Sequence, residues 1–272
     1  MYKIIFSDID GTLLGPKREL TKPTIKEIQK LKNKIPIILV SSRMPRQMYH
    51  LQEELDILEL PLIAFNGAYV VQNKKVIHST EIPVGIIEKL VNENEKNGPD
   101  KIHISLFNAD DWYVDSMDYW ALREETNTKT SPEVKTNKDV VSLWKSKGKG
   151  AHKIMCMGDK DKIDAIYTYL EENYGAVLHL YRSKETYIEI ANKEVSKLTG
   201  INKLLNCCYP DFTLEETVAF GDNYNDVEMI AAVGCGVAVA NARKEVLSVA
   251  KAVTEHHKED GVAIYLKKLF NS

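Results

Sequence analysis

MYKIIFSDIDGTLLG, residues 1–15, decides how the rest of the chain is read. Ile4, Ile5 and Phe6 make a short apolar run of strand type, yet Asp8 and Asp10 follow at once, with Gly11 and Thr12 behind them. Two carboxylates closing a core strand are costly to bury. Their use has to be sought in chemistry rather than in packing.

Working outward, the first third alternates two periodicities. After the strand KIIFSD, TKPTIKEIQKLKNK repeats Ile25, Ile28 and Leu31 at helical spacing; IPIILVSSR is a second buried strand, MPRQMYHLQEEL is helical, and LPLIAFNGAYV is a third strand. The last third resumes the pattern with a helix on Leu198, Ile201, Leu204 and Leu205, the strand TVAFGD, a helix from Val227 to Ala232, the strand GVAV and a helix after Asn241. Strand and helix in alternation imply an α/β fold, here two halves of one doubly wound parallel sheet. The middle follows hairpin grammar instead: KIHISLF and WYVDS joined by the polar NADD, then helical DYWALREETN, a strand at HKIMCM, a helix at KIDAIYTYLEENY, and the strands AVLHLYR and TYIEIA. The expected organisation is a core of residues 1–82 and 188–272 with an inserted α+β domain at 83–187, joined through linkers near Glu81–Pro83 and Tyr187–Ile190.

Composition bounds the function. The 272 residues, 44% hydrophobic and 28% charged, suffice for two domains, and a formal charge of −3 offers no global attraction to nucleic acid or to an anionic membrane. Any anion must therefore be bound locally. The longest apolar stretch, Met229–Ala240, carries two glycines and falls well short of the roughly 20 residues of a spanning helix. Asp8 interrupts the opening run before it could serve as a secretory signal. Cys156, Cys207, Cys208 and Cys235 show no zinc or C-x-x-C spacing. Reduced thiols and a cytoplasmic location are expected.

In an open parallel sheet, ligands bind beyond the carboxyl ends of the strands. Three polar groups fall there: Asp8-Ile9-Asp10-Gly11-Thr12, Ser41-Ser42-Arg43, and Gly221-Asp222-Asn223-Tyr224-Asn225-Asp226; Lys197 joins them at a helix start. Carboxylates, hydroxyls, an ammonium and an amide at one edge suit a metal ion and a phosphate. Mg²⁺ takes one or two carboxylates and keeps places for water and a phosphate oxygen, which fits Asp8, Asp222 and the main-chain carbonyl of Asp10. Asp8 is the candidate nucleophile, and Asp10 could give a proton to the leaving alcohol and take one from water. Lys197 would damp repulsion between phosphate and Asp8, while Ser41, the Ser42 amide and Asn225 would donate to the phosphoryl oxygens. Elsewhere, Asp159 and Asp161 read as helix-start residues, His256-His257 as a solvated pair, and Trp112, Trp120 and Trp144 as packing within the insert.

DIDGTLL, SSR, VSKLTG and GDNYNDVEM, in that order and with an α+β insert between the second and third, resemble the haloacid dehalogenase superfamily of phosphatases. Within it the chain looks like the Cof-type branch, whose large C2B-like cap is inserted at this point. The resemblance spans the chain and implies a Mg²⁺-dependent phosphatase of small phosphorylated metabolites, sugar phosphates above all, working through an aspartyl-phosphate. It implies Asp8 as nucleophile and metal ligand, Asp10 as acid/base and carbonyl ligand, Asp222 as the other ligand, and Asp226 behind it. Phosphate contacts fall on the Ile9 amide, Ser41, Ser42, Lys197 and Asn225, with Arg43, Asn66 and Gly67 near the substrate. Two departures stand out: Ser41-Ser42-Arg43 where many relatives have Thr-Gly-Arg, and Leu198 where they have Gly. The Ser42 side chain narrows access to its own amide. A phosphohexose mutase-like phosphotransferase shares such a core and cap, and a non-catalytic phosphosugar-binding regulator is a third possibility. The intact Asp8, Asp10, Lys197 and Asp222 speak against the regulator.

Overall fold

The computed structural model describes residues 2–270. In chain order the elements are β1 (Ile4–Ser7), α1 (Lys22–Leu31), β2 (Ile37–Val40), α2 (Tyr49–Leu55), β3 (Leu62–Ala64), β4 (Tyr69–Gln72), β5 (Lys75–Ser79), α3 (Val84–Glu95), β6 (His103–Asn108), β7 (Asp111–Val114), α4 (Tyr119–Thr128), β8 (Glu133–Val134), α5 (Asn137–Lys147), β9 (Lys153–Met157), α6 (Lys160–Tyr174), β10 (Leu178–Lys184), β11 (Tyr187–Asn192), α7 (Lys197–Cys208), β12 (Thr217–Gly221), α8 (Val227–Ala232), β13 (Cys235–Val239), α9 (Lys244–Val249), β14 (Ala252–Thr254) and α10 (Gly261–Phe270). Contacts divide them into two units: the chain up to His78 with that from Ser196 onward, and Ser79–Val195.

The first unit is an α/β domain around an eight-stranded sheet in the order β14-β13-β12-β1-β2-β3-β4-β5. β1 runs parallel to both β12 and β2, and those three strands are buried along their whole length. A strand covered on both faces has no solvent face, which is why IIFS, IILV and TVAFG show no alternation and carry only Ser7 and Thr217 as polar residues, at strand ends. Ile4, Phe6, Ile38, Val40, Ile201, Leu204 and Ala219 share one core face. The carboxyl ends of β1, β2 and β12 therefore lie side by side.

The expected single strand LPLIAFNGAYV is broken. β3 ends at Ala64, Phe65–Gly67 turns, and β4 returns antiparallel, with Leu62 opposite Val71. Phe65, Asn66 and Gly67 all take positive φ, at 50°, 56° and 106°. At Gly67 only glycine fits, because a Cβ would stand 2.1 Å from the Ser196 carbonyl oxygen.

The second unit is an α+β domain whose six-stranded sheet runs β10-β11-β9-β6-β7-β8, with α3, α5 and α6 contributing to the core built on Ile104, Leu106, Ile154, Ile188 and Ile190. The boundary expected at 187/188 is corrected. β11 pairs antiparallel with β9 and β10, so Tyr187–Ile190 is sheet rather than linker, and the contact break falls at 195/196. α5, which sequence periodicity passed over, buries Val140, Val141 and Trp144. Trp112 and Trp144 are core, as expected; Trp120 is only half-buried and meets exposed Tyr119 edge-on at 5.1 Å. Asp159 precedes α6 without a side-chain capping bond.

Candidate active site

Asp8 follows the central strand and is 6% exposed. Its amide donates to the Phe220 carbonyl at 3.0 Å, and its own carbonyl accepts from Ser7 Oγ at 2.8 Å. The backbone is thus held on both sides while the carboxylate stays free to act. Oδ1 accepts from Lys197 Nζ at 2.5 Å; Oδ2 is buried and has no hydrogen-bond partner. Burial pushes this carboxyl well above the usual carboxylate range; Lys197 opposes that shift, and Asp226 and Asp222 add to it.

Lys197 is the first residue of α7. Ser196 caps the helix by accepting from the Thr199 amide at 3.2 Å, while Thr199 Oγ1 accepts from the Ser196 amide at 2.9 Å. Fully buried, the ammonium donates to Asp8 Oδ1 and, at 2.6 Å, to Asp226 Oδ1. Burial alone would lower its pKa; the charges of Asp226 and Asp8 outweigh that and raise it. The cation stays charged.

The loop after β12 presents two further carboxylates. Asp226 Oδ2 accepts from the amides of Asp222 and Asn223, each at 2.9 Å, so both of its oxygens are engaged in holding the loop and the lysine. Asp222 is more open. Thr12 Oγ1 donates to its Oδ1 at 3.0 Å, and Gly11, at φ 87°, packs so close that a Cβ would stand 2.5 Å from Oδ2. Asp8, Asp222 and Asp226 each offer a carboxylate oxygen within 4.8 Å of the others, a group that could hold a metal ion.

Asp10 lies apart from that cluster. Arg43 grips it with two bonds, Nε to Oδ2 at 2.7 Å and a terminal guanidinium nitrogen to Oδ1 at 2.8 Å, and Arg18 adds a third at 3.2 Å. Burial pushes the carboxyl up, but the bonds and charge of Arg43, helped by Arg18, hold it below its ordinary value. Ile9 is buried and its carbonyl accepts from the amides of Leu13 and Leu14. Ser41 is buried at the end of β2, its Oγ accepting from the Arg43 amide at 3.2 Å; Ser42 beside it is half-buried. Asn225 Nδ2 donates to Asn66 Oδ1 at 2.8 Å, which ties the loop after β12 to the turn after β3.

Of the residues expected at the site, Asp8, Lys197, Asp222 and Asp226 come together, while Asp10 is tied to Arg43 and Arg18 instead. Thr12 and Arg18 passed unassigned, although Thr12 stood inside the quoted motif. His257 is corrected: it is not a solvated loop residue, for its Nδ1 bonds the Leu14 carbonyl at 2.6 Å and its amide donates to Asn241 Oδ1 at 3.0 Å.

Residues 5–266 match the model of the haloacid dehalogenase-like hydrolases. The chain belongs to that family. A Haemophilus influenzae relative is 31% identical over 99% of both chains. The 5-amino-6-(5-phospho-D-ribitylamino)uracil phosphatase YitU of Bacillus subtilis is 29% identical over 98% of this chain and 97% of its own. The crystal structure of TM0651 from Thermotoga maritima superposes with a TM-score of 0.87 at 26% identity, over 98% of this chain and 97% of that one. This member of the family is accordingly an enzyme, a hydrolase of the phosphatase type. Among the described residues no helix is long and apolar enough to cross a membrane.

Proposed function

We propose that the chain is a Mg²⁺-dependent phosphomonoester hydrolase that acts on small phosphorylated metabolites, sugar phosphates foremost, through an aspartyl-phosphate on Asp8. The observation that carries this is the state of Asp8: a buried carboxylate with one oxygen fixed by Lys197 and the other bare. An unpartnered buried oxygen is expensive unless a ligand or a reaction uses it. YitU, named for a phosphorylated ribityl substrate, supports a polyol-like leaving group. The four cysteines, none of them bridged, support a cytoplasmic location.

The bare Asp8 Oδ2 and the all-oxygen cluster suit a hard divalent ion, with no Cys or His in the group to favour zinc. Asp8 and Asp222 would hold it, with the Asp10 carbonyl; Asp226, both oxygens engaged, would orient Asp222 and Lys197 instead. When bound, Mg²⁺ supplies positive charge opposite the phosphoryl oxygens. In the first half-reaction Asp8 attacks phosphorus, the bond from phosphorus to the leaving oxygen breaks, and Asp10 protonates that oxygen. In the second, Asp10 takes a proton from water, which attacks the aspartyl-phosphate and frees phosphate and Asp8. Arg43 and Arg18 hold Asp10 ionised, the form needed in the second step, so proton donation in the first requires those contacts to give way. Lys197 and the Ser41 hydroxyl, with the Ile9 and Ser42 amides and Asn225, would steady the phosphoryl group; Asn66, Gly67 and Arg43 would lie toward the leaving group.

The test is a panel of phosphorylated sugars, sugar alcohols and other small metabolites with Mg²⁺, scored by released inorganic phosphate. Release is expected, strongest with the phosphorylated sugars and polyols. Transfer to a second sugar without free phosphate would favour the phosphotransferase, and binding without turnover the regulator.

A pH effect follows from Asp222, which burial and the charge of Asp226 push up to about 6 despite the Thr12 bond. With a folded-state value above the ordinary one, its proton stabilises the fold fully below about pH 4, and that contribution is lost as pH rises through 6. A cation in the cluster would take the proton's place. Mg²⁺ should therefore raise Tm clearly more at about pH 7.5 than at about pH 5 in thermal scans. An equal rise at both would dissociate Asp222 from the metal.

A further inference from the structure

The loop after β1 reaches Asp222 through Gly11 and Thr12, so whatever fastens that loop fixes its distance from Asp222. Its carbonyls are held from the far end of the sheet. Asn241, just beyond β13, donates from Nδ2 to the Gly11 carbonyl at 2.8 Å. His257, beyond β14, bonds the Leu14 carbonyl through Nδ1 at 2.6 Å; a carbonyl only accepts, so Nδ1 carries the proton. The two side chains form a single bracket, because Asn241 Oδ1 accepts the His257 amide at 3.0 Å. The same segment holds the other loop, since the Arg243 amide donates to the Asp222 carbonyl at 2.8 Å.

We infer that His257 and Asn241 are positioning residues for the metal-binding carboxylates: the bracket sets the separation between the loop after β1 and Asp222, and through it the affinity for a divalent cation. The inference rests on the metal site proposed above. Neither side chain belongs to the carboxylate group itself, which is made of Asp8, Asp222 and Asp226. Their leverage comes from the packing of Gly11 on Asp222, which leaves no slack for the loop to close inward, and from the Thr12 bond, which stretches if the loop drifts out. Sites of this kind tolerate only about 0.5 Å of error, and loss of an outer partner typically lowers metal affinity about 10–100-fold.

The experiment is calorimetric titration of the intact chain with Mg²⁺, with thermal unfolding of the metal-free protein alongside. His257→Ala and His257→Gln, whose amide reaches toward the Nε2 position, should weaken Mg²⁺ binding about 10-fold or more. His257→Asn, which can place an N–H where Nδ1–H stands, should stay within about threefold of wild type. Asn241→Asp keeps the acceptor for the His257 amide but removes the donor to Gly11, and should fall with the alanine variant. In turnover the loss should sit mainly in the Mg²⁺ half-saturation rather than in kcat. Unchanged affinity in His257→Ala, equal weakening in His257→Asn and His257→Ala, or a loss matched by melting of the metal-free fold would overturn the inference. Absence of Mg²⁺ binding in the wild-type chain would instead sink the metal site itself.

Discussion

Asp8→Asn should lower turnover by more than about 10³-fold and leave the fold standing. The carboxamide matches the carboxylate in shape but has no anionic oxygen with which to attack phosphorus. Its carbonyl oxygen still accepts from Lys197, which also keeps Asp226. Burial already disfavours the ionised form of Asp8, so removing its charge relieves a cost rather than adding one. Tm should be equal to wild type or higher. Acid-quenched protein incubated with a labelled substrate should carry phosphate in the wild type and none in the variant. Near-normal turnover, or an acyl-phosphate that survives the substitution, would move the nucleophile elsewhere.

Lys197→Met acts on stability as strongly as on rate. The side chain is of similar length, but Asp8 and Asp226 lose their shared cation inside the protein, and leaving buried charges without their partner costs about 3–5 kcal/mol. Urea unfolding should show that loss, and activity should fall about 10²–10³-fold because the charge opposite the phosphoryl group has gone. Adding Asp226→Asn should recover part of the stability but none of the activity, since the pair is coupled. A Lys197→Met protein as stable as wild type would mean that the ammonium and the two carboxylates are independent.

Much of the candidate site was legible because Asp8, Ser41 and Asp222 sit next to strand ends, and strand ends can be read from local hydrophobicity, while Lys197 opens a helix with its own capping signal. Asp8, Ser41 and Asp222 needed nothing more. Partnerships across the chain could not be read that way. The contact of His257 with Leu14 depends on the parallel order β12-β13-β14, which brings distant loops onto one edge, and two adjacent histidines in a polar stretch carry no mark of it. The break at Phe65–Gly67 was hidden for a different reason: a buried Phe with positive φ is a tertiary imposition that overrides local preference. The boundary expected at 187/188 cut through TYIEIA, a strand already counted with the insert, and its pairing with β9 keeps it there. α5 was lost because Lys138, Lys145 and Lys147 dilute its apolar stripe.

The position of β1 has a consequence for biosynthesis. This strand is made before the others of its sheet, yet one of its two neighbours, β12, is made only after the whole of Ser79–Val195, and Ile4 must wait for Thr217 before its register is complete. Ser79–Val195 is contiguous and can condense as soon as it is out of the exit tunnel, whereas the half-sheet β1-β2-β3-β4-β5 is held with β1 as an open edge in which only Ser7 is polar. Unpaired strand edges of that kind invite pairing with other chains. For this protein the interval between translation of β5 and of β12 is therefore the window in which a nascent-chain chaperone has most to shield.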